Sequence, residues 1–181
     1  ALAVGPGIDY VTVRVTDGEH TETLVLAEAR LSVLKGEVEI LGRCKGRDLA
    51  GRRYQRLFDL PNAPAPEAAW RVVCADYVST EDGTGIVHIA PAFGAEDYEV
   101  GRREGLPLLN PMAPDGKFVD GTPLVAGLWF KDANKVLNRD LQGRGLLYRQ
   151  DNYLHNYPHD WRKGTPLMSY PVESWFIRTT A

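Results

Sequence analysis

The sequence predicts a mainly β fold, a β-barrel or sandwich with a few helices, rather than a doubly wound α/β sheet. Short runs rich in β-branched residues alternate with turn residues along the first half of the chain, as is typical of strands. Only two or three segments have the spacing of helices. With 181 residues, 44% of them hydrophobic and 25% charged, we expect one globular domain over residues 1–181.

The first elements of the chain are predicted to be extended. Residues 10–15 (YVTVRV) and 21–27 (TETLVLA) indicate two strands joined as a hairpin at positions 17–18, an Asp-Gly pair. Residues 29–36 place two leucines near helical spacing and end on a glycine. Residues 37–46 then return to a strand pattern.

The middle of the chain predicts a loop, two strands and a short helix. Three prolines stand within six positions of a surface loop at about 59–69. Strands are predicted at 70–78 and 85–90, on either side of the turn STEDGTG. Residues 95–105 begin with acids and end with arginines and a glycine, which favours a helix.

The most regular helical pattern covers residues 131–145. Asp132 is the predicted N-cap, and glycines 143 and 145 end the helix. The apolar side consists of Ala133, Val136, Leu137 and Leu141. Residues 148–181, rich in aromatics and broken by prolines, are predicted to form short strands and loops.

Composition excludes several classes of protein. The net charge of −3 argues against binding nucleic acid through a broadly basic face, so an RNA contact would be local. Cys44 and Cys74, 30 positions apart, are typical of reduced thiols rather than a disulfide scaffold. No apolar stretch is long enough for a membrane span, and no signal peptide is visible. The chain does not begin with Met, so we expect it to be part of a longer protein.

The stretch GTGIVHIAPAFGAED, residues 83–97, is the leading candidate site. A strand ending near His88, a loop over 91–94 and a helix starting near Glu96 and Asp97 would bring an imidazole and a carboxylate together. The carboxylate could hold an ammonium group, and the imidazole could polarise a carbonyl or position a water. The alternative is a histidine with a structural role on a strand and acids that stabilise a helix start.

Other chemistries are less well supported. There is no GxSxG motif, and neither cysteine has a nearby histidine, so a nucleophilic hydrolase is not indicated. His155 and His159 are four residues apart, but Pro158 intervenes and no HExxH motif is present, so no metal site is predicted. The basic clusters at 46–53 and 101–105 are either solvated faces or local RNA-backbone contacts.

Residues 76–109 (DYVSTEDGTGIVHIAPAFGAEDYEVGRREGLPLL) resemble the editing domain of isoleucyl-tRNA synthetase. This domain, connective polypeptide 1, is shared with the valyl and leucyl enzymes. The resemblance continues through 127–147 and 153–177 and reaches residue 1 more weakly, so it covers nearly the whole chain. It implies a closed β-barrel of the valyl/isoleucyl/leucyl editing-domain type, with a few peripheral α-helices.

The isoleucyl type is distinguished by a histidine before an Ala-Pro pair, followed by AFG and acids. Those positions are His88, Ala90, Pro91, Ala92, Phe93, Gly94, Glu96 and Asp97. The valyl type has lysine in place of His88 and AHD in place of residues 92–94. The match favours the isoleucyl type, with the valyl type as the alternative.

The resemblance implies hydrolysis of mischarged Val-tRNA(Ile), and of valyl-adenylate, by a water nucleophile. Asp97 would anchor the α-ammonium of valine, and His88 would contact the amino acid or the ribose. Ala90, Ala92, Phe93 and Glu96 would complete the substrate-binding set. A second pocket is needed because one methylene gives only about 1 to 3 kcal/mol of discrimination, a value already documented for this enzyme class.

The resemblance also implies partners and conditions. The partners are the tRNA(Ile) 3′ end carrying misattached valine and the rest of the synthetase chain, in a cytoplasmic, monomeric protein without a membrane partner. Residues 148–181 would link the domain back towards the synthetic core. The domain itself would need no cofactor, since ATP and Mg²⁺ serve the parent enzyme elsewhere. Rival hypotheses are a non-catalytic module that docks the tRNA acceptor end and a free-standing hydrolase.

Two departures from the family pattern stand out. The family's threonine-rich segment precedes the residues that match the start of this chain, so we expect these 181 residues to edit weakly or not at all alone. Some relatives bind zinc through cysteines where Asp160 and Lys163 stand here, so a zinc site is not expected.

Overall fold

The computed structural model describes most of the chain and divides it into two compact units. The described residues are 1–60, 63, 66–152, 156–175, 177 and 179. The first unit consists of residues 1–57, 64–91 and 95–108. The second unit consists of residues 58–63, 92–94 and 109–181. The expectation of a single editing domain over 1–181 stays a prediction.

The strands of the described residues all lie in the first unit. They are β1 (Leu2–Val4), β2 (Asp9–Asp17), β3 (His20–Ala27), β4 (Glu37–Lys45), β5 (Val72–Cys74) and β6 (Ile86–His88). An antiparallel sheet of order β3-β2-β4 is called the hairpin sheet, and a sheet of order β5-β1-β6 is called the short-strand sheet. In the latter, β1 runs parallel to β5 and antiparallel to β6.

The prediction of a closed β-barrel is wrong. Within the described residues the strands form two separate three-stranded sheets, so each sheet keeps two edge strands. A barrel requires every strand to pair on both sides. The predicted strands at 70–78 and 85–90 shrink to β5 and β6, which have three residues each. Such short strands form too few hydrogen bonds to carry a continuous ladder from one sheet to the other.

The predicted hairpin is confirmed. Strands β2 and β3 pair from Tyr10↔Ala27 to Asp17↔His20, so the two-residue loop is Gly18-Glu19, one position later than expected. Gly18 has φ 62°, the conformation that tight hairpin loops require. The sheet's inner face buries Val11, Val13, Val15 and Leu26.

The segment predicted as helical at 29–36 is a short 3-10 helix, Glu28–Val33, followed by β4. Leu34 is extended, with φ −79° and ψ 148°, so the leucine spacing does not continue as an α-helix. Gly36 has φ 91°, and a Cβ there would collide with the Thr16 carbonyl oxygen at 2.2 Å. Only glycine fits this close approach.

The described residues of the first unit contain three α-helices. They are α1 (Gly46–Leu49), α2 (Pro66–Ala69) and α3 (Ala95–Glu104). Helix α3 confirms the prediction for 95–105, and α2 falls within the predicted loop at 59–69. Residues 61, 62, 64 and 65 of that loop lie outside the described residues. The core cluster beneath the short-strand sheet consists of Ala3, Val73, Ala75, Val78, Ile89 and Val100.

The second unit contains one α-helix in its described residues, α4 (Phe130–Gly143), close to the predicted range 131–145. Its N-cap is Trp129 rather than Asp132, which lies in the first turn. The short strands predicted within 148–181 are not seen among that segment's described residues, where the only β pairing is an isolated bridge, His159↔Pro166. No helix in the described ranges is long and apolar enough to cross a membrane.

Candidate functional site

The Asp97 carboxylate is the best-defined polar group of the candidate site. It lies in the first turn of α3. Its Oδ1 accepts a hydrogen bond from the Tyr77 hydroxyl at 2.8 Å, and its Oδ2 accepts one from the Ala90 backbone N–H at 2.9 Å. The carboxylate therefore joins the segment after β5, the segment after β6 and the start of α3 within the first unit.

The two hydrogen bonds leave the carboxylate able to bind a further donor. An ionised carboxylate offers about four lone-pair sites, and Tyr77 and Ala90 occupy one on each oxygen. Burial raises the pKa of Tyr77 well above its ordinary value of 10, and the hydrogen bond and charge of Asp97 raise it further. The phenol is therefore protonated at neutral pH and acts as a donor to Asp97.

His88 is the last residue of β6, where it pairs with Leu2 of β1. Val87 and His88 are both exposed, whereas Ile89 is buried, so exposure does not alternate from residue to residue at the end of this strand. The buried Ile89 side chain anchors the end of β6 in the core cluster. The imidazole of His88 therefore lies at the surface, while the next residue, Ile89, holds the end of the strand in the core.

The electrostatic surroundings of His88 favour its neutral form. The His88 side chain is partly accessible to solvent, but nearby protein atoms remove some of the water around its imidazole. This desolvation lowers the pKa of His88 below its ordinary value of 6.5. The negative charge of Asp97 opposes this effect. At pH 7 the imidazole is therefore neutral and can accept a proton or a hydrogen bond.

The structure brings together only part of the predicted residue set. Asp97 and Ala90 are in direct contact, and the charge of Asp97 acts on His88. Glu96 is exposed beside Asp97 on α3. Ala92 and Phe93 belong to the second unit, where Ala92 is buried.

The contact of Tyr77 with Asp97 is the feature of the candidate site that sequence reasoning missed. The sequence places Tyr77 inside a predicted strand, 70–78, where an aromatic residue is ordinary. Nothing in its spacing to Asp97, 20 positions later, indicates a contact. A tyrosine has a polar end that usually finds a partner when buried, but the sequence does not say which partner.

An apolar groove of about 690 Å³ lies in the second unit. Aromatic and thioether side chains dominate its lining, which includes Phe93, Phe118, Phe130, Tyr157, Met112 and Met168. Asn134 and Ser169 add polar groups. The Lys131 ammonium lies 4.3 Å from the centroid of the Tyr157 ring, a cation–π contact beside the groove.

Asp160 and Lys163, where no zinc site is expected, lie in a tight turn. Asp160 Oδ1 accepts hydrogen bonds from the backbone N–H groups of Arg162 and Lys163, at 3.0 and 2.7 Å. Asp160 therefore stabilises the chain reversal by itself. His155, four positions before His159, lies outside the described residues. Among the residues that are described, no group of three or more His, Cys, Asp or Glu side chains could hold a metal ion.

Comparisons of the sequence with curated proteins find isoleucine–tRNA ligases. Those of Streptomyces coelicolor and Clostridium acetobutylicum are 49% and 44% identical to the chain over its whole length. The ligase of Thermus thermophilus is 48% identical over 99% of the chain. The chain spans only 17%, 17% and 16% of the length of these three relatives. No family model matches the chain.

Comparison with solved structures finds the crystal structure of GlLeuRS-CP1, with a TM-score of 0.58 and 17% sequence identity. The match covers 83% of this chain and 78% of that chain, which shows a shared fold. The sequence relatives share far more identity and extend from end to end of the chain. The chain is therefore homologous to a segment of isoleucine–tRNA ligases.

Proposed function

We propose that the chain is the editing domain of an isoleucine–tRNA ligase and hydrolyses mischarged Val-tRNA(Ile), and also valyl-adenylate. The observation that carries this proposal is the Asp97 carboxylate, which Tyr77 and Ala90 hold at the start of α3. The homology to isoleucine–tRNA ligases and the fold shared with GlLeuRS-CP1 support it.

In this proposal Asp97 binds the α-ammonium of the misattached valine. A charge-assisted hydrogen bond between an ammonium and a carboxylate is roughly twice as strong as a neutral one. Because both oxygens of Asp97 are already tethered, the carboxylate does not need to be ordered when the substrate binds. Glu96, exposed next to it, adds negative charge that favours an approaching ammonium group.

His88 is proposed to act on the nucleophilic water or on the terminal ribose. The water oxygen forms a bond to the ester carbonyl carbon, and the bond from that carbon to the ribose oxygen breaks. One proton of the water ends on the ribose oxygen, and valine leaves as the free amino acid. A neutral imidazole is the form that can accept a hydrogen bond from this water.

The remaining expectations are part of the same proposal. The reaction needs no cofactor bound to this domain, since ATP and Mg²⁺ serve the ligase reaction elsewhere in the enzyme. The domain is part of a monomeric cytoplasmic ligase, and its partner is the 3′ end of tRNA(Ile). The 181 residues by themselves are expected to hydrolyse Val-tRNA(Ile) weakly or not at all.

The test is Asp97→Ala in a full-length isoleucine–tRNA ligase that carries this segment. Hydrolysis of Val-tRNA(Ile) is expected to fall about 100-fold, because removing one partner of a hydrogen-bonded charge pair costs roughly 2 to 5 kcal/mol. The Kd for tRNA(Ile) should stay within about 2-fold, because phosphate contacts dominate nucleic-acid affinity. Rates come from release of radiolabelled valine, and Ile-tRNA(Ile) serves as the cognate comparison.

Two further variants make the result decisive. Asp97→Asn keeps an acceptor for Tyr77 but loses the charge, so it should be nearly as inactive as Asp97→Ala while staying folded. Glu99→Gln changes an exposed acid of the same helix, paired with Arg102, and should leave hydrolysis unchanged. Wild-type hydrolysis by Asp97→Ala would overturn the proposal. If hydrolysis persists and tRNA affinity is lost instead, the domain is a docking module.

A further inference from the structure

The packing of the Tyr77 ring, and not only its hydrogen bond to Asp97, holds this side chain in place. The half-buried ring packs against the cluster that contains Val78 and Ile89. Its neighbours in sequence, Ala75 and Val78, are both buried, and the Val78 N–H donates to the Ala75 carbonyl at 3.4 Å. The position of the phenol is therefore set by packing within the first unit, independently of Asp97.

The carboxylate of Asp97 needs a second tether to have one orientation. The terminal torsion of an aspartate side chain is broad and roughly two-fold. With the Ala90 N–H bound to Oδ2 alone, the Asp97 carboxylate could still rotate about that hydrogen bond. The Tyr77 hydroxyl on Oδ1 removes this freedom. Two donors from different segments thus define the carboxylate plane and the direction of its remaining lone pairs.

The phenol is also suited to act as a permanent donor. Because burial and the neighbouring Asp97 raise the pKa of Tyr77 above its ordinary value of 10, the hydroxyl keeps its proton at neutral and moderately alkaline pH. It therefore orients Asp97 without competing for an ammonium ligand, since a neutral donor leaves the negative charge in place.

We propose that Tyr77 is a positioning residue for the hydrolysis: its hydroxyl holds the Asp97 carboxylate in the orientation that receives the α-ammonium of the substrate. This inference rests on the proposed function. It assigns Tyr77 no contact with the reacting bond, so its effect passes entirely through Asp97.

The test is Tyr77→Phe in the full-length ligase, which keeps the packed ring and removes only the hydroxyl. The kcat/KM for hydrolysis of Val-tRNA(Ile) is expected to fall about 10-fold, the scale of one hydrogen bond to a charged group. Isovaleryl-tRNA(Ile) is an ester with hydrogen in place of the α-ammonium. Tyr77→Phe should hydrolyse it within about 2-fold of the rate of the wild-type ligase on the same ester, because this substrate has no ammonium for Asp97 to bind.

A double-variant cycle adds a readout that a purely structural role would not produce. In an Asp97→Ala background, Tyr77→Phe should have no further effect on Val-tRNA(Ile), because the group it orients is gone. Tyr170→Phe is the matched control: that hydroxyl also donates a half-buried hydrogen bond, to the Met112 carbonyl, but it lies in the second unit. Its hydrolysis rate should stay within about 2-fold of wild type.

The outcomes separate this inference from the proposed function. If the wild-type ligase hydrolyses Val-tRNA(Ile) and Tyr77→Phe does so equally fast, the positioning role is overturned and the proposed function stands. Equal losses on Val-tRNA(Ile) and isovaleryl-tRNA(Ile) would also overturn it, since the role would then be structural. If the wild-type ligase and Asp97→Ala do not differ, the proposed function itself fails, and this inference fails with it.

Discussion

The first unit buries alternating valines on one face of a sheet, whereas the described part of the second unit consists of helix α4 and irregular backbone. In the first unit the hairpin sheet alone buries Val11, Val13 and Val15. In the described part of the second unit the buried apolar side chains are Ala92, Met112, Val125 and Ala133. Its loops are held by turn hydrogen bonds, and Leu124 even has φ 67°, a conformation that non-glycine residues seldom adopt.

This difference matches the kind of group that each unit carries. The polar candidate site needs directional hydrogen bonds with fixed geometry, and regular elements supply the most precise positions. The Ala90 N–H follows β6, and Asp97 opens α3. The groove of the second unit is lined by aromatic and thioether side chains, whose contacts are non-directional. Such a surface tolerates an irregular backbone.

The largest expected effect compares two isoleucines, one in each unit. Ile89→Ala should lower the free energy of unfolding by about 2 to 5 kcal/mol, because it opens a cavity in the core cluster, where Ile89 is 1% exposed. Ile177→Ala should change it by less than about 0.5 kcal/mol, since Ile177 is 89% exposed. Urea unfolding of the 181-residue chain measures both. Equal losses would show that Ile89 does not belong to a packed core.

A smaller effect compares two tyrosine hydroxyls. The Tyr10 hydroxyl accepts from the Gly5 N–H and donates to the Gly85 carbonyl, so Tyr10→Phe leaves two buried groups without a partner. The expected cost is about 1 to 3 kcal/mol. Tyr170→Phe loses one half-buried bond to the Met112 carbonyl and should cost about 0.5 to 1 kcal/mol. The same unfolding assay measures both free-energy losses. A larger loss for Tyr170→Phe than for Tyr10→Phe would contradict the prediction that the hydrogen bonds of the first unit matter more for stability.

The smallest effect concerns pH and histidines. Because the pKa of His88 in the folded chain is lowered from 6.5, the unfolded chain binds more protons between the folded value and 6.5. Stability from His88 is therefore complete above about pH 6.5 and declines as pH falls through the folded pKa. His88→Gln should flatten this part of the unfolding midpoint profile. His159→Gln, in the second unit, should leave the His88 contribution in place, and an unchanged slope in His88→Gln would contradict the prediction.

Local patterns predicted the local elements well. The hairpin of β2 and β3 and the helix α3 follow from alternation, turn residues and the charges at the helix ends. Strand β1, with three residues, leaves no such pattern and was missed. The predicted N-cap of α4, Asp132, is wrong, because the Trp129 carbonyl already accepts hydrogen bonds from the N–H groups of Asp132 and Ala133, at 2.9 and 3.1 Å.

The candidate site was predicted in part for the same reason. His88 and Asp97 are nine positions apart, with a strand end and a helix start between them, so local geometry brings them near each other. The contact of Tyr77 with Asp97 spans 20 positions and depends on β5 and β6 lying on either side of β1. No local pattern encodes that order. The roles of Ala90, Ala92, Phe93 and Glu96 in substrate binding stay predictions.

The sequence by itself determined the resemblance to isoleucyl-tRNA synthetase editing domains, the hairpin and a carboxylate at a helix start. These depend on residue identity and on contacts between neighbours in the chain. The tertiary structure decided that the strands form two open sheets instead of a barrel, and that the Tyr77 hydroxyl meets Asp97. Both depend on which distant segments pair, and that choice reflects the summed burial and hydrogen bonding of the whole first unit rather than any one segment.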